Sequence, residues 1–319
     1  MAKTKIEWCD YTFNPWIGCQ KVSPACDNCY ADRLCRRFGK DCFGTGKDRI
    51  RTGDKNWEKM VSLNRRIANR IYSHTADGFI KNDGLRERKL NAMYPKVFCG
   101  SMCDVFDNAV PDTWRKDLFR LIAETSCLDW LILTKRIGNA PAMIERAIGK
   151  YDSEFYGLQN NVWLGITVCN QQEAERDIPK LLDVPAKKYF LSMEPLLGPV
   201  DLEKARAWQS DVVGVDWVIV GGESGPNARP MHPDWVRRVR DDCELFATPF
   251  FFKQWGEWLP AKRDKYGNVE FCDQNTVPHN GFLKCRVTNL DATFTAFRFG
   301  KKASGRLLDN RTWGEVPIC

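Results

Sequence analysis

The residues with the most chemical content stand near the N-terminus, in Asn14-Pro-Trp-Ile-Gly-Cys19-Gln-Lys-Val-Ser-Pro-Ala-Cys26-Asp-Asn-Cys29-Tyr30. Cys19, Cys26 and Cys29 are spaced C-x6-C-x2-C. A C-x2-C pair lets two thiolates converge on one metal centre through a tight turn, and the third approaches from a Gly- and Pro-punctuated loop. Three thiolates do not close a tetrahedral structural zinc site, which takes four N or S ligands. They suit a four-iron four-sulfur cluster with one iron left open. Zinc with a fourth thiolate from Cys9, Cys35 or Cys42 competes with that reading, and three buried free thiols are the plainest alternative. An open iron can chelate the amino and carboxylate groups of S-adenosylmethionine, and an electron from the cluster then cleaves the sulfonium to a 5′-deoxyadenosyl radical.

Such a site needs a scaffold that brings polar groups to one mouth. Short apolar runs recur along the chain: Lys5–Cys9, Lys96–Gly100, Trp130–Thr134, Val162–Thr167, Lys188–Ser192, Trp217–Gly221 and Pro249–Lys253. Four or five apolar residues in a row fit strands buried on both faces. Amphipathic stretches of helical length lie between them, at Thr113–Ala123, Gln171–Leu182 and Pro233–Phe246. In the last, Trp235, Val236 and Val239 form the apolar stripe. Strand and helix alternating about seven times predict an α/β protein, a parallel β/α barrel of TIM-like type, complete or partial. A doubly wound sheet is the alternative, but no Gly-x-Gly-x-x-Gly follows the first run. The barrel is expected over 1–257, with a basic insertion at about 33–90. A β-rich basic extension is expected over 258–319, with a hairpin turn at Lys265-Tyr-Gly-Asn268.

A β/α barrel places its active site at the C-terminal strand ends. Those ends read Ser101-Met-Cys-Asp104, Thr134-Lys-Arg136, Thr167-Val-Cys169, Ser192-Met-Glu194, Gly221-Gly-Glu-Ser-Gly225 and Lys253-Gln-Trp255. Helix capping accounts for Thr134 and Ser224, but not for Lys135, Glu194, Glu223 and Lys253 together. The expected cofactor contacts are therefore Tyr30, Ser101, Asp104, Thr134, Lys135, Thr167, Ser192, Glu194, Gly221, Gly222 and Glu223. Cys103, Lys135, Glu194 and Glu223 are the expected catalytic groups. A carboxylate accepts the cofactor's ammonium or ribose hydroxyls, and a lysine pairs with its carboxylate.

The chain has 319 residues, 28% charged and 43% hydrophobic, with 14 cysteines and a net charge of +7. No run approaches the roughly 18 apolar residues of a membrane span, and the first residues lack the apolar core of a secretory signal. A cytoplasmic, reducing setting is expected, which disfavours a disulfide framework for the thiols. The charge is uneven: residues 33–70 carry a net +8 and residues 258–319 a net +4, around a mildly acidic middle. Cations beside aromatics suit a polyanion. Arg36, Arg37, Lys47, Arg49, Arg51, Lys301, Lys302 and Arg306 are expected at phosphates, with Trp57, Trp255 and Trp258 as stacking platforms for bases. Phe43-Gly-Thr-Gly-Lys47 lacks the preceding strand and the spacing of a phosphate loop.

The chain resembles the phage-type three-cysteine-motif family named for phage gene products 37 and 68, whose members are regarded as radical-S-adenosylmethionine-like. The likeness runs through Trp8-Cys-Asp-Tyr-Thr-Phe-Asn-Pro-Trp16, the three cysteines, Leu133-Thr-Lys-Arg136, Ser192-Met-Glu-Pro-Leu-Leu-Gly198 and Val220-Gly-Gly-Glu-Ser-Gly225. It continues through Ala228-Arg-Pro-Met231, Phe252-Lys-Gln-Trp-Gly-Glu-Trp258 and the tail from Gly300 to Asp309. Radical S-adenosylmethionine enzymes in general use C-x3-C-x2-C with an aromatic residue before the last cysteine. Here Asn28 precedes Cys29, and Tyr30 follows it. The resemblance implies a cluster on Cys19, Cys26 and Cys29, S-adenosylmethionine as cofactor, an electron donor, and modification of a nucleobase or nucleotide in DNA, in the host cytoplasm if phage-encoded. A zinc-containing nucleic-acid-binding protein without catalysis is the alternative, and a cluster protein that does not turn over cofactor is a third.

Overall fold

A computed structural model describes residues 3–76, 94–149, 160–210, 213–273 and 285–317. The 77–90 part of the expected basic insertion lies outside them.

Seven strands form one sheet: β1 (Tyr11–Phe13), β4 (Lys96–Cys99), β5 (Asp129–Thr134), β6 (Val162–Thr167), β7 (Lys188–Met193), β8 (Trp217–Gly221) and β9 (Phe250–Gln254), side by side in that order. Every neighbouring pair is parallel. Strands laid down in chain order, without the reversal of a doubly wound sheet, curl one way. The result is a half-barrel flanked by helices. Helices α2 (Asp54–Ala76), α3 (Asp112–Glu124), α4 (Ala140–Ile148), α5 (Gln171–Leu182) and α6 (Pro233–Leu245) lie between the strands in sequence. α1 (Tyr30–Arg37) belongs to the loop that leaves β1.

Side chains alternate along the strands, and two cores result. One holds Val97, Trp130, Ile132, Leu164, Ile166, Leu191, Val218, Val220, Phe250 and Phe252 together with helix residues such as Met60, Leu118, Ile178 and Val236. The other holds Phe98, Leu131, Trp163, Phe190, Trp217, Ile219 and Phe251, closed by Trp8. This second set lines the opposite face of the sheet, its inner face. Gly165 is part of that fit, because a Cβ there would stand 2.3 Å from the Phe190 ring.

The run Lys5–Cys9 is therefore not the first strand. The first strand is the three-residue Tyr11–Phe13, paired with β4. Trp8 is apolar because it plugs the inner face, tilted 4.6 Å from Phe98 and edge-on to Trp217 at 6.3 Å.

The far edge of the sheet is covered by the tail. Phe252 N–H donates to Trp313 C=O and Glu315 N–H to Phe250 C=O, so exposed strand edge is capped within the chain. A separate antiparallel sheet follows β9, in the order β11 (Val269–Phe271), β10 (Trp258–Arg263), β13 (Phe294–Arg298), β12 (Arg286–Asn289). The turn between β10 and β11 spans the expected Lys265–Asn268, with Gly267 at φ +86° and the Asp264 carboxylate accepting from the N–H groups of Tyr266 and Asn268. Among the described residues no helix is long and apolar enough to cross a membrane.

Candidate metal centre

The cysteine loop leaves the C-terminal end of β1 and is pinned at once. Asn14 Oδ1 accepts from Met102 N–H at 2.8 Å, and its Nδ2 lies 3.1 Å from Ser101 Oγ. β2 (Trp16–Ile17) pairs antiparallel with β3 (Ile50–Arg51), so the thirty-odd residues between them are held at their base. Gly18 sits at φ +114°, with its Cα so close to Cys42 C=O that a Cβ would come within 2.3 Å. Only glycine serves there. Ser23 then caps a short 3-10 turn (Pro24–Cys26), and Cys29 occupies the position before α1.

Cys19, Cys26 and Cys29 line one cavity of about 320 Å³, with Asp32 and Arg36 of α1 and Phe43, Gly44 and Thr45 on the far wall. All three thiols are free. Asp32 is taken up by Arg36, at 2.6 Å. Gln20, Lys21 and the Thr45 hydroxyl complete the lining, and the three cysteines are its only thiols, which suits a group that takes three thiolates and keeps a position open. Among the described residues no three His, Cys, Asp or Glu side chains are set to hold a single metal ion. The fourth thiols considered for zinc do not line this cavity. Cys35 and Cys42 are buried against each other, and Cys9 packs on the inner aromatic core.

One thiol has a cationic partner. Arg136, from the loop after β5, places Nη1 3.3 Å from Cys19 Sγ while its Nη2 donates to Gln20 C=O at 2.6 Å. Asp104 holds the same guanidinium at 3.2 Å. Burial, reinforced by Asp104, pushes the Cys19 thiol up to about 12 against the pull of Arg136. The free thiol is thus protonated at neutral pH, and loading a metal group releases its proton.

The strand ends carry a second set of groups. Leu131 and Leu133, Trp163, Phe190, Trp217, Ile219 and Phe251 face inward. By the same alternation Lys135, Thr167, Ser192, Glu194, Gly221 and Lys253 follow on the inner face at the C-terminal ends. Thr167 and Ser192 stand opposite each other in register. Glu194 receives both bonds of Lys253 Nζ, at 2.7 and 2.8 Å, and one from Gln254 Nε2 at 3.0 Å. Gly221 faces that side chain, and a Cβ there would meet it at an ordinary contact distance of 3.4 Å. Thr167 Oγ1 is buried without a hydrogen-bond partner among the described residues.

Several expected cofactor contacts are occupied with scaffolding instead. Thr134 Oγ1 donates to Asp104 at 2.7 Å and accepts from Arg136 N–H, and Asp104 also accepts from the N–H groups of Phe106 and Lys135. Ser101 is engaged by Asn14, and its carbonyl accepts from Tyr30 O–H at 2.6 Å. Cys103 backs the cysteine loop: its backbone bridges to Gly18, and burial holds its thiol well above the usual range. Glu223 is not a free acid–base group. Arg229 binds it through Nε, Nη2 and the backbone N–H, and Asn28 Nδ2 bonds it at 3.0 Å. Asn28 lies between Cys26 and Cys29, so Glu223 ties the cysteine loop to the end of β8. Gly222 is a packing glycine, with Trp255 C=O 1.9 Å from where a Cβ would stand.

Among the expected phosphate contacts Arg49 is a correction. Its side chain is 1% exposed, locked to Asp107 at 2.7 Å and to three carbonyls of the loop it stabilises. Trp57 and Trp255 are also buried, in the core, and present no face to a base. Trp258 Nε1 donates to Ala228 C=O. Arg36 pairs with Asp32, Lys47 with Asp41, Arg51 with Asp54 and Asp117, and Arg306 with Glu7. Arg37, Lys301 and Lys302 are exposed.

Asn14, Asn28, Arg136 and Arg229 hold the cysteine loop in place, and local pattern does not mark them. Each lies within a stretch with recognisable neighbours, but its role appears only when distant segments meet. No curated protein and no solved structure matches the chain. A family match covers residues 3–317, the half-barrel, the cysteine loop and the C-terminal sheet alike, and the chain belongs to that family, described as Protein of unknown function (DUF5131).

Proposed function

We propose that the protein is an iron–sulfur radical enzyme that cleaves S-adenosylmethionine reductively and modifies a nucleobase or nucleotide in nucleic acid, with DNA as the favoured substrate. One observation supports it above the rest: three free thiols line a single cavity beside a half-barrel whose strand ends carry Lys135, Thr167, Ser192 and Glu194.

In this reading Cys19, Cys26 and Cys29 hold a four-iron four-sulfur cluster. When bound, cluster and cofactor supply an electron and a 5′-deoxyadenosyl radical that takes hydrogen from the substrate. The chain's own residues bind and orient. Arg136 donates N–H to the Cys19 sulfur and fixes its direction. Glu194, steadied by Lys253 and Gln254, offers its outer lone pairs to an ammonium or to ribose hydroxyls. Lys135, with no ion pair among the described residues, takes a carboxylate. The inner aromatic layer beneath, with Trp163, Phe190 and Trp217, closes the floor to water. An external one-electron donor is required, and the setting is taken as cytoplasmic.

The test is anaerobic purification followed by cofactor cleavage. A brown protein with ~4 iron per chain and a broad visible absorption is expected, releasing 5′-deoxyadenosine with dithionite and S-adenosylmethionine. A colourless protein with one zinc would overturn the reading in favour of a nucleic-acid-binding protein without catalysis. A brown protein that releases no deoxyadenosine would leave only a cluster-bearing redox protein.

A further inference from the structure

The cations of residues 33–70 differ in what they meet: Arg33 Nη2 donates to Ser224 C=O, and Arg37 and Lys40 are exposed with no ion pair among the described residues. Arg36, Lys47, Arg49 and Arg51 are matched by carboxylates. Those of α2 are not. This helix carries Lys55, Lys59, Arg65, Arg66 and Arg70 against Asp54 and Glu58. At 100° per residue Lys55, Lys59, Arg66 and Arg70 fall within an 80° stripe, with Ser62 on the same line. All four cations are exposed, and none forms an ion pair with a described residue. The one hydrogen bond among them runs from Arg66 Nη2 to Tyr11 O–H. The opposite side of the helix buries Trp57, Met60, Leu63 and Ile67 in the core. The stripe is thus fixed outward.

We infer that this stripe of α2 is a binding surface for the phosphate backbone of single-stranded nucleic acid, leading toward the cysteine cavity. Three observations carry it. The stripe is about 22 Å long, from Lys55 to Arg70, with about 6 Å along the helix within each of the pairs Lys55–Lys59 and Arg66–Arg70 and about 10 Å between Lys59 and Arg66, so the two pairs can meet separate phosphates of an extended strand. A surface groove of about 340 Å³ runs along it, lined by Lys55, Lys59, Ser62 and Arg66, with Leu63 and the Glu58 carboxylate also in its wall. Its start lies at the mouth: Asn56 Nδ2 donates to Asn14 C=O, and Asn14 in turn holds Ser101 and Met102 beside the cysteine loop. A single strand suits chemistry on a base, because a stacked and paired base is out of reach. The surface rests on the nucleic-acid substrate proposed above and is independent of the iron–sulfur cluster.

The experiment is fluorescence anisotropy of a labelled single-stranded DNA with the full chain, over a series of salt concentrations. Four phosphate contacts predict a slope of log K against log salt of about −2.8, and Lys59→Gln with Arg66→Gln together should bring it to about −1.4. Binding at low salt should weaken about tenfold or more in that variant. Circular dichroism and the melting temperature should be unchanged, since both side chains are exposed. An unchanged slope and affinity in this variant overturn the assignment. So does loss of binding in Lys301→Gln with Lys302→Gln while the α2 variant binds normally, or binding to anionic lipid vesicles with none to DNA. Iron content, measured on the same samples, separates the two readings. Iron-loaded protein that ignores single strands sinks the surface alone, whereas iron-free protein that binds through α2 sinks the cluster alone.

Discussion

Arg136 stands between Cys19 and Asp104, with Nη1 3.3 Å from the sulfur and 3.2 Å from the carboxylate. Both charged side chains are almost fully buried, at 7% and 6% exposure. Asp104 is in turn the organising acceptor for Thr134, Lys135 and Phe106. Arg136, paired with buried Asp104 at 3.2 Å and buried Asp107 at 3.9 Å, thus joins the loop after β5 to the segment after β4 and to Cys19 of the candidate metal centre.

Replacing Arg136 by Met should leave the Asp104 carboxylate buried without its cation. Breaking one side of such a pair costs about 3–5 kcal/mol, and the three remaining hydrogen bonds on Asp104 favour the lower end. Urea denaturation of the metal-free chain measures it. The Arg136→Met, Asp104→Asn double variant should recover part of the loss, because the uncompensated charge is gone. A double variant no better than Arg136→Met would mean that the guanidinium's contacts with Gln20 C=O, Cys19 and Asp107, not its pair with Asp104, hold this region.

Glu223 predicts a pH dependence. Burial alone would raise its pKa, but the Arg229 side chain and backbone N–H and the Asn28 amide outweigh that and hold it below the ordinary carboxylate range. A depressed folded pKa stabilises the fold fully above the unfolded value, about 4.3, and that stabilisation is lost as pH falls through the folded value. Glu223→Gln should thus cost about 2 kcal/mol at pH 7. The gap from the native chain should narrow steadily below about pH 4. A gap that is constant across that range would show that the Glu223 charge plays no part in tying the cysteine loop to β8.

Much of the scaffold was legible. Six of the seven apolar runs correspond to β4 to β9 within a residue or two, and Gln171–Leu182 is α5 to the residue. Continuous apolarity marks a doubly covered strand whatever lies beyond it. β1 was not legible, because three residues are too few for a pattern and Trp8 beside them is apolar for another reason. The charge reading failed at particular residues for one physical cause. Arg49 meets Asp107 across 58 positions and Arg51 meets Asp117 across 66, and counting cations along the chain sees neither carboxylate. The α2 stripe is periodic and local, yet it appears as a surface only once Arg36, Lys47, Arg49 and Arg51 of the same segment are seen to be paired. That Cys19, Cys26 and Cys29 line one cavity was legible because loop spacing bounds how far apart they can lie. Arg136, 117 positions away from Cys19, was not.

Adjacent glycines at the end of β8 should answer differently to the same change. In Gly222→Ala the new methyl meets the Trp255 carbonyl and the Gly256 N, both backbone atoms that cannot swing aside. A loss of about 3 kcal/mol or more is expected, at the severe end of overpacking. In Gly221→Ala the methyl meets only the Glu194 carboxylate, at an ordinary 3.4 Å. That variant should keep its stability within about 1 kcal/mol and change only how Glu194 presents itself. Thermal melts of the two side by side decide it, and equal losses would contradict the distinction between a packing glycine and one that faces the Glu194 side chain.

Thr167 offers a test that separates binding from folding. Its hydroxyl is buried on the inner face at the end of β6, with no partner among the described residues, directly across from Ser192. Val has nearly the same shape and no polar atom to desolvate. In the ligand-free chain Thr167→Val should therefore be neutral or more stable by about 1 kcal/mol, since a buried hydroxyl without a partner costs about that much. If the hydroxyl awaits a ligand, the same change should weaken S-adenosylmethionine binding about tenfold, the loss of one hydrogen bond of about 1.4 kcal/mol. Calorimetric titration and a thermal melt on one preparation give both numbers. Opposite signs for stability and affinity mark a hydroxyl held for a ligand. A stability loss with unchanged affinity would mark a residue that serves only the sheet.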